Sequence, residues 1–263
     1  MPMLDLGDVT LNYRIDGPED GAPVVFANSL GTSLAMWDPL LPHLPAGLRL
    51  LRFDKRGHGA SSVPSAPYSM GGLIHDTERL LDHLGWREVV FVGLSIGGMI
   101  AQGLAVKRLD LIRGLVLSNT AAKMGTPESW AQRMDAIRVD GMAGVADMVM
   151  ERWFSPAFLA SDQLPYWRDM MLATPAEGYL GCCAAIAGTD FFTPTSGLRL
   201  PTLGIAGTED RASPPDMVRE TVDLIPGSQF ELIRGGGHLP HVERPEAYAA
   251  ALTGFLRRIG HVA

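Results

Sequence analysis

Apolar residues along this chain fall into short, nearly continuous runs, each followed by a stretch with helical spacing. The runs at 23–28, 49–54, 88–93 and 113–119 are rich in Val, Leu, Ile and Phe. Their length and continuity predict strands covered on both faces, as in a parallel sheet. Residues 9–16 alternate instead, which predicts an early antiparallel strand. Helical patterns at 34–44, 70–84 and 96–107 lie between the runs. The rhythm resumes late, with strands predicted at 202–206 and 229–233 and helices at 214–225 and 245–259. Pro214 and Pro245 suit a first helical turn, where the missing N–H costs nothing. Alternating strand and helix predicts an α/β class fold with a mostly parallel, doubly wound sheet.

Residues 121–196 break this rhythm. Their periodicity predicts helices at 128–138, 145–153, 164–172 and 177–187, punctuated by Gly and Pro. Seven of the 13 Met and three of the five Trp lie there, in under a third of the chain. Flexible Met and flat aromatics on a small helical insertion suit a lid over a pocket. The expected organisation is a core of residues 1–120 and 197–263 with a helical cap at 121–196.

Composition narrows the class. At ~150 residues per domain, 263 residues make one large domain or two small ones. With 46% hydrophobic and 19% charged residues, neither disorder nor a coiled coil fits. The formal charge of −7, without a basic run, argues against a nucleic-acid partner. No apolar run is long enough for a membrane span, and the first residues lack a leader pattern. Cys182 and Cys183 are adjacent and ill placed to bridge each other, which suits a reducing cytoplasm. No spacing suggests a metal site, and no cofactor is expected.

The chemistry sits on three segments. Gly93-Leu94-Ser95-Ile96-Gly97 joins a predicted strand to a predicted helix. A serine at such a step needs a sharp turn, and the flanking glycines remove Cβ atoms that would collide there. The turn lifts Ser95 Oγ above the strand ends and aims the Ile96 N–H at any oxyanion formed beside it. A serine hydroxyl needs a base. His238, on the Gly-rich loop after the strand at 229–233, is the candidate, with His241 as its rival. His58, in the tight Arg56-Gly57-His58-Gly59 turn, suits a structural role. The imidazole in turn needs a carboxylate to fix its tautomer. Asp210 after the strand at 202–206 is preferred to its neighbour Glu209. The chain order Ser95, Asp210, His238 is that of α/β-hydrolases.

These residues make the chain resemble the α/β-hydrolase superfamily over essentially its whole length. Two further stretches, from Asp54 to Ser61 and from His238 to Pro245, are similar to that family's early turn and histidine loop. Relatives with an aspartate nucleophile, such as haloalkane dehalogenases, differ at Ser95. More closely, the chain resembles the 3-oxoadipate enol-lactonases of aromatic catabolism (the β-ketoadipate pathway). The similar stretches are Asn28-Ser29-Leu30-Gly31-Thr32, Gly93 through Gln102, and Leu117 through Lys123. That resemblance implies hydrolytic ring opening of a small anionic lactone, with the Leu30 N–H as second oxyanion donor.

An anionic substrate needs a local cation, because the insertion holds five Lys/Arg against nine Asp/Glu. Trp130 and Arg133 stand at i and i+3, on one helix face. They suit substrate binding, as the lactonase resemblance also implies, with Arg133 pairing the carboxylate. The same triad would serve an esterase, a C–C hydrolase, a perhydrolase or a non-catalytic receptor.

Overall fold

The computed structural model describes residues 2–262; Met1 and Ala263, which the expected core of residues 1–120 and 197–263 includes, lie outside them. Eight strands form one sheet: β1 (Met3–Asp5), β2 (Thr10–Asp16), β3 (Ala22–Ala27), β4 (Leu48–Phe53), β5 (Val89–Leu94), β6 (Ile112–Ser118), β7 (Thr202–Gly207) and β8 (Gln229–Ile233). Their order is β1-β2-β4-β3-β5-β6-β7-β8. β2 runs antiparallel to β1 and β4, as its alternation predicts, and every pairing from β4 to β8 is parallel. All six residues of β5 are buried, which explains its continuous apolar run. Burying a side chain such as Phe91 there contributes about 1.5–3 kcal/mol.

Three helices follow the predicted patterns without change of bounds, α1 (Met70–Leu84), α2 (Ile96–Lys107) and the inserted helix at Leu164–Leu172. Ser69 caps α1 by accepting from the Gly72 N–H, and Gly85 closes it in the left-handed conformation at φ 67°. Six helices connect β6 to β7: α3 (Pro127–Asp140), α4 (Ala143–Trp153), α5 (Pro156–Leu159), α6 (Leu164–Leu172), α7 (Ala176–Ala187) and α8 (Phe192–Ser196). The chain ends with α9 (Pro215–Asp223), α10 (Pro240–Glu243) and α11 (Pro245–Arg258).

Residues 34–44 depart from expectation. They form two 3-10 turns, Leu34–Trp37 and Leu41–His43, in place of one helix. Pro39 and Pro42 each lack the N–H that an α-helical ladder requires. Pro214 is the N-cap of α9, and Pro215 takes the first-turn position instead. Strand β1 and helices α5, α8 and α10 are too short to carry a periodic signal.

The strand order reverses direction at β3. The chain moves from β3 to β4 on one side, then to β5 on the other. Such a switch leaves a crevice beyond the carboxyl ends of β3 and β5, where loops diverge and ligands bind in open α/β sheets. The loop carrying Leu30 follows β3, and Ser95 follows β5.

Candidate active site

Ser95 stands at the step from β5 to α2 with φ 59° and ψ −121°, a conformation that costs a non-glycine residue about 1–3 kcal/mol. Its surroundings impose it. The Ser95 N–H donates to Ser118 O at 3.0 Å, and Thr120 Oγ1 donates to Ser95 O at 2.6 Å. A Cβ on Gly97 would lie 2.2 Å from Ala27 O, and one on Gly93 would lie 2.3 Å from Gly97 O. Only glycine lets α2 start this close to the sheet.

Asp210 and His238 form the second half of the site, both buried. His238 Nδ1 donates to Asp210 Oδ2 at 2.9 Å, leaving Nε2 free to accept a proton. The same Oδ2 accepts from Asn119 Nδ2 at 2.7 Å and from Ser213 Oγ at 2.9 Å. Oδ1 takes the N–H groups of Ala212 at 2.7 Å and Ser213 at 3.1 Å. Burial alone would raise the Asp210 pKa. The attraction of His238 and the hydrogen bonds from His238, Asn119 and Ser213 outweigh it, and the carboxyl is held below its ordinary value. Glu209 is exposed, as a solvated loop acid should be.

The histidine loop is tied to the inserted helices. The His238 N–H donates to Trp153 O at 2.6 Å, and the Gly237 N–H to Glu243 Oε1 at 2.7 Å. Glu243 also accepts from the Ser155 N–H and hydroxyl. His241, the rival base, packs on Trp37 at 4.4 Å with Nε2 on Met36 O at 2.9 Å. Burial pulls its pKa down to about 3, and it stays neutral and structural. His58 is structural too: its Nε2 accepts the Gly31 N–H at 3.0 Å.

Ser95 and His238 line one cavity of about 90 Å³ with Ser29, Leu30, Trp130, Arg133, Arg152 and others. Ser95 Oγ makes no direct hydrogen bond to His238 here; the nearest partner of Nε2 is Ser29 Oγ at 3.5 Å. Catalytic hydrogen bonds of this kind commonly shorten only in the substrate complex. The N–H groups of Leu30 and Ile96 donate to no protein acceptor among the described residues. Ile96 is the first residue of α2, where the helix dipole adds partial positive charge.

Trp130 and Arg133 also reach this cavity. The Arg133 guanidinium lies over the Trp130 ring at 4.8 Å, and Trp130 Nε1 is occupied by Met124 O at 2.6 Å. Arg152, at the end of α4, is a second cation on the wall. Burial and repulsion from Arg133 lower its pKa, with Asp210 opposing. Neither arginine forms an ion pair among the described residues. Burial pushes the Tyr179 hydroxyl beside them up to about 12, which keeps it neutral.

The sequence pattern did not single out Ser29, Asn119, Ser213 or Arg152. Asn119 carried one available signal, since it follows β6 at the edge where Ser95 and Asp210 emerge. Its φ of 46° turns the side chain onto Asp210. Among the described residues, no three His, Cys, Asp or Glu side chains group as a metal site would. Among the described residues, no single helix is long and apolar enough to cross a membrane.

Comparison with known proteins bears on the family and the fold. Residues 22–245 match the alpha/beta hydrolase fold family. The chain is 34% identical over 253 residues to 3-oxoadipate enol-lactonase 2 of Acinetobacter baylyi, covering 95% of this chain and 94% of that protein. It is 36% identical to the enol-lactonase from Burkholderia xenovorans LB400, with a TM-score of 0.94 over 97% of this chain and 100% of that one. A thermophilic esterase from Thermogutta terrifontis is 29% identical, with a TM-score of 0.90 over 98% of this chain and 97% of that one.

Proposed function

The chain belongs to the alpha/beta hydrolase fold family, and from that premise we propose that it is a serine-dependent carboxylic ester hydrolase that opens 3-oxoadipate enol-lactone to 3-oxoadipate in aromatic-compound catabolism. One observation carries the proposal. A strained serine, a carboxylate-held imidazole, Leu30 and two arginines without ion pairs line one small cavity, and the N–H groups of Leu30 and Ile96 donate to no protein acceptor among the described residues. The similarity to enol-lactonases supports the choice of substrate.

Ser95 Oγ attacks the lactone carbonyl and gives its proton to His238 Nε2. Asp210 keeps the Nδ1–H tautomer and stabilises the imidazolium. The N–H groups of Leu30 and Ile96 receive the oxyanion; one such donor contributes about 3 kcal/mol to the transition state. The ring C–O bond breaks, and the leaving enolate oxygen is delocalised and becomes the ketone after proton transfer. Water, deprotonated by His238, then attacks the acyl-enzyme and releases the dicarboxylate and Ser95. No cofactor takes part. The substrate's own carboxylate is held by Arg133 and Arg152, with Trp130 against the flat ring. In this reading residues 121–196 cap a core of residues 1–120 and 197–263, and the free thiols of Cys182 and Cys183 suit a cytoplasmic setting.

The test is purified protein with the enol-lactone, followed by loss of the ring absorbance, beside Ser95→Ala. The proposal expects turnover that disappears in Ser95→Ala; unchanged turnover in that variant sinks it. The similarity to an esterase keeps a second reading, hydrolysis of a neutral short ester. A higher kcat/KM for neutral esters than for the lactone would favour it.

A further inference from the structure

The loop after β3 is gripped from behind by a charge that the mechanism above does not use. Lys55, on the turn after β4, is 3% exposed, and its Nζ donates to Ser29 O at 2.6 Å. Thr32 Oγ1 donates to the same oxygen at 2.9 Å. The Ser29 carbonyl and the Leu30 N–H belong to one peptide unit. A planar trans peptide points its C=O and N–H in opposite directions, so fixing one aims the other. Two donors behind the Ser29 carbonyl therefore turn the Leu30 N–H away from Lys55, to the side where Leu30 and Ser95 line the cavity. A cation on the carbonyl oxygen also draws density from the amide nitrogen and strengthens its N–H as a donor. The next peptide is fixed as well, by the Gly31 N–H on His58.

We propose that Lys55, with Thr32, is a positioning residue for the oxyanion hole, setting the direction and donor strength of the Leu30 N–H through the Ser29 carbonyl. The proposal rests on the serine-hydrolase reading of Ser95 and Leu30.

The position of Lys55 suits this role better than a scaffolding one. It forms no ion pair among the described residues, and both oxygens of nearby Asp54 are taken by Leu34 N–H, Asn12 Nδ2 and Ala60 N–H. A buried ammonium without a carboxylate partner lowers stability. Burial pulls its pKa down to about 8, against the opposing pull of Cys182 and Asp54, so the charge persists at neutral pH. An apolar side chain of similar length would fill the space at lower cost, but could not hold the carbonyl.

The experiment compares wild type, Lys55→Met and Thr32→Val on p-nitrophenyl acetate, with phenylboronic acid as a mimic of the tetrahedral adduct. Lys55→Met is expected to keep or raise Tm and hold KM within about twofold. Its kcat and boronate affinity should both fall about 10- to 100-fold. Thr32→Val should show a smaller loss of the same pattern. A folded Lys55→Met with wild-type kcat and boronate affinity overturns the proposal, as does a loss shared equally by Tm, KM and kcat. Failure of the underlying reading looks different: wild type itself would show no turnover that Ser95→Ala removes.

Discussion

Replacing Asp210 by Asn tests the site most sharply, because every group around this carboxylate is a donor. Oδ1 faces two backbone N–H groups, and Oδ2 faces His238 Nδ1, Asn119 Nδ2 and Ser213 Oγ. An amide has one acceptor oxygen. The backbone donors of Ala212 and Ser213 are fixed by the chain, so the amide oxygen must stay with them. Its NH2 then meets His238 Nδ1 and the Asn119 amide. Nδ1 can face it only as an acceptor, which moves the imidazole proton to Nε2 and leaves no base for Ser95. The expected fall in kcat is about 10⁴-fold, or about 5.5 kcal/mol of transition-state stabilisation, with KM changed little. The apposed NH2 groups should also cost about 1–3 kcal/mol of stability. Steady-state kinetics on the lactone and urea unfolding measure the two effects. Since the native Asp210 pKa is depressed, its contribution is intact above the ordinary value of 3.8 and is lost as pH falls through the native value. The stabilities of the two proteins should therefore converge in strong acid. A folded Asp210→Asn with kcat within tenfold of wild type would refute the reasoning.

Arg152→Met and Arg133→Met should each raise KM for the anionic lactone about 10-fold or more, the scale of a lost charge-assisted hydrogen bond, and leave a neutral ester little changed. Equal losses on both substrates would remove the carboxylate role. Gly237→Ala should lower Tm and kcat together, because its Cβ would lie 2.2 Å from Trp153 O and push the histidine loop away; calorimetry showing an unchanged Tm would contradict that close approach. Burial raises the Glu78 pKa, but hydrogen bonds from Lys107, His75 and Arg108 prevail and hold it at about 2. Glu78→Gln should thus cost roughly 1–2 kcal/mol at pH 7, discounted for the exposed Lys107. That difference should shrink as pH falls from 4.5 towards 2, and urea midpoints that stay parallel across this range would disprove it.

Much of the scaffold was legible in the chain because its signals are local. The buried run of β5, the capped α1 and the glycines around Ser95 each encode structure within a few residues. The failure at residues 34–44 was local too: helical spacing outweighed Pro39 and Pro42, whose missing N–H groups decide the matter. The contacts inside the site carry no such signature. Ser29 Oγ faces His238 across 209 positions, and Asn119 reaches Asp210 across 91. Nothing near Lys55 in the chain announces that its ammonium is buried against Ser29 O.

What the amino-acid order determined alone was the alternation of strands and helices, the strained turn at Ser95 and the carboxyl-end positions of Asp210 and His238, all set by neighbours in the chain. Tertiary structure decided the rest: that Asn119 and Ser213 complete the shell of donors around Asp210, that Arg152 joins Arg133, and that Lys55 holds the peptide of Leu30. Those outcomes depend on how the loops pack where the strand order reverses, since hydrogen-bond partners so far apart in the chain meet only once the sheet has formed.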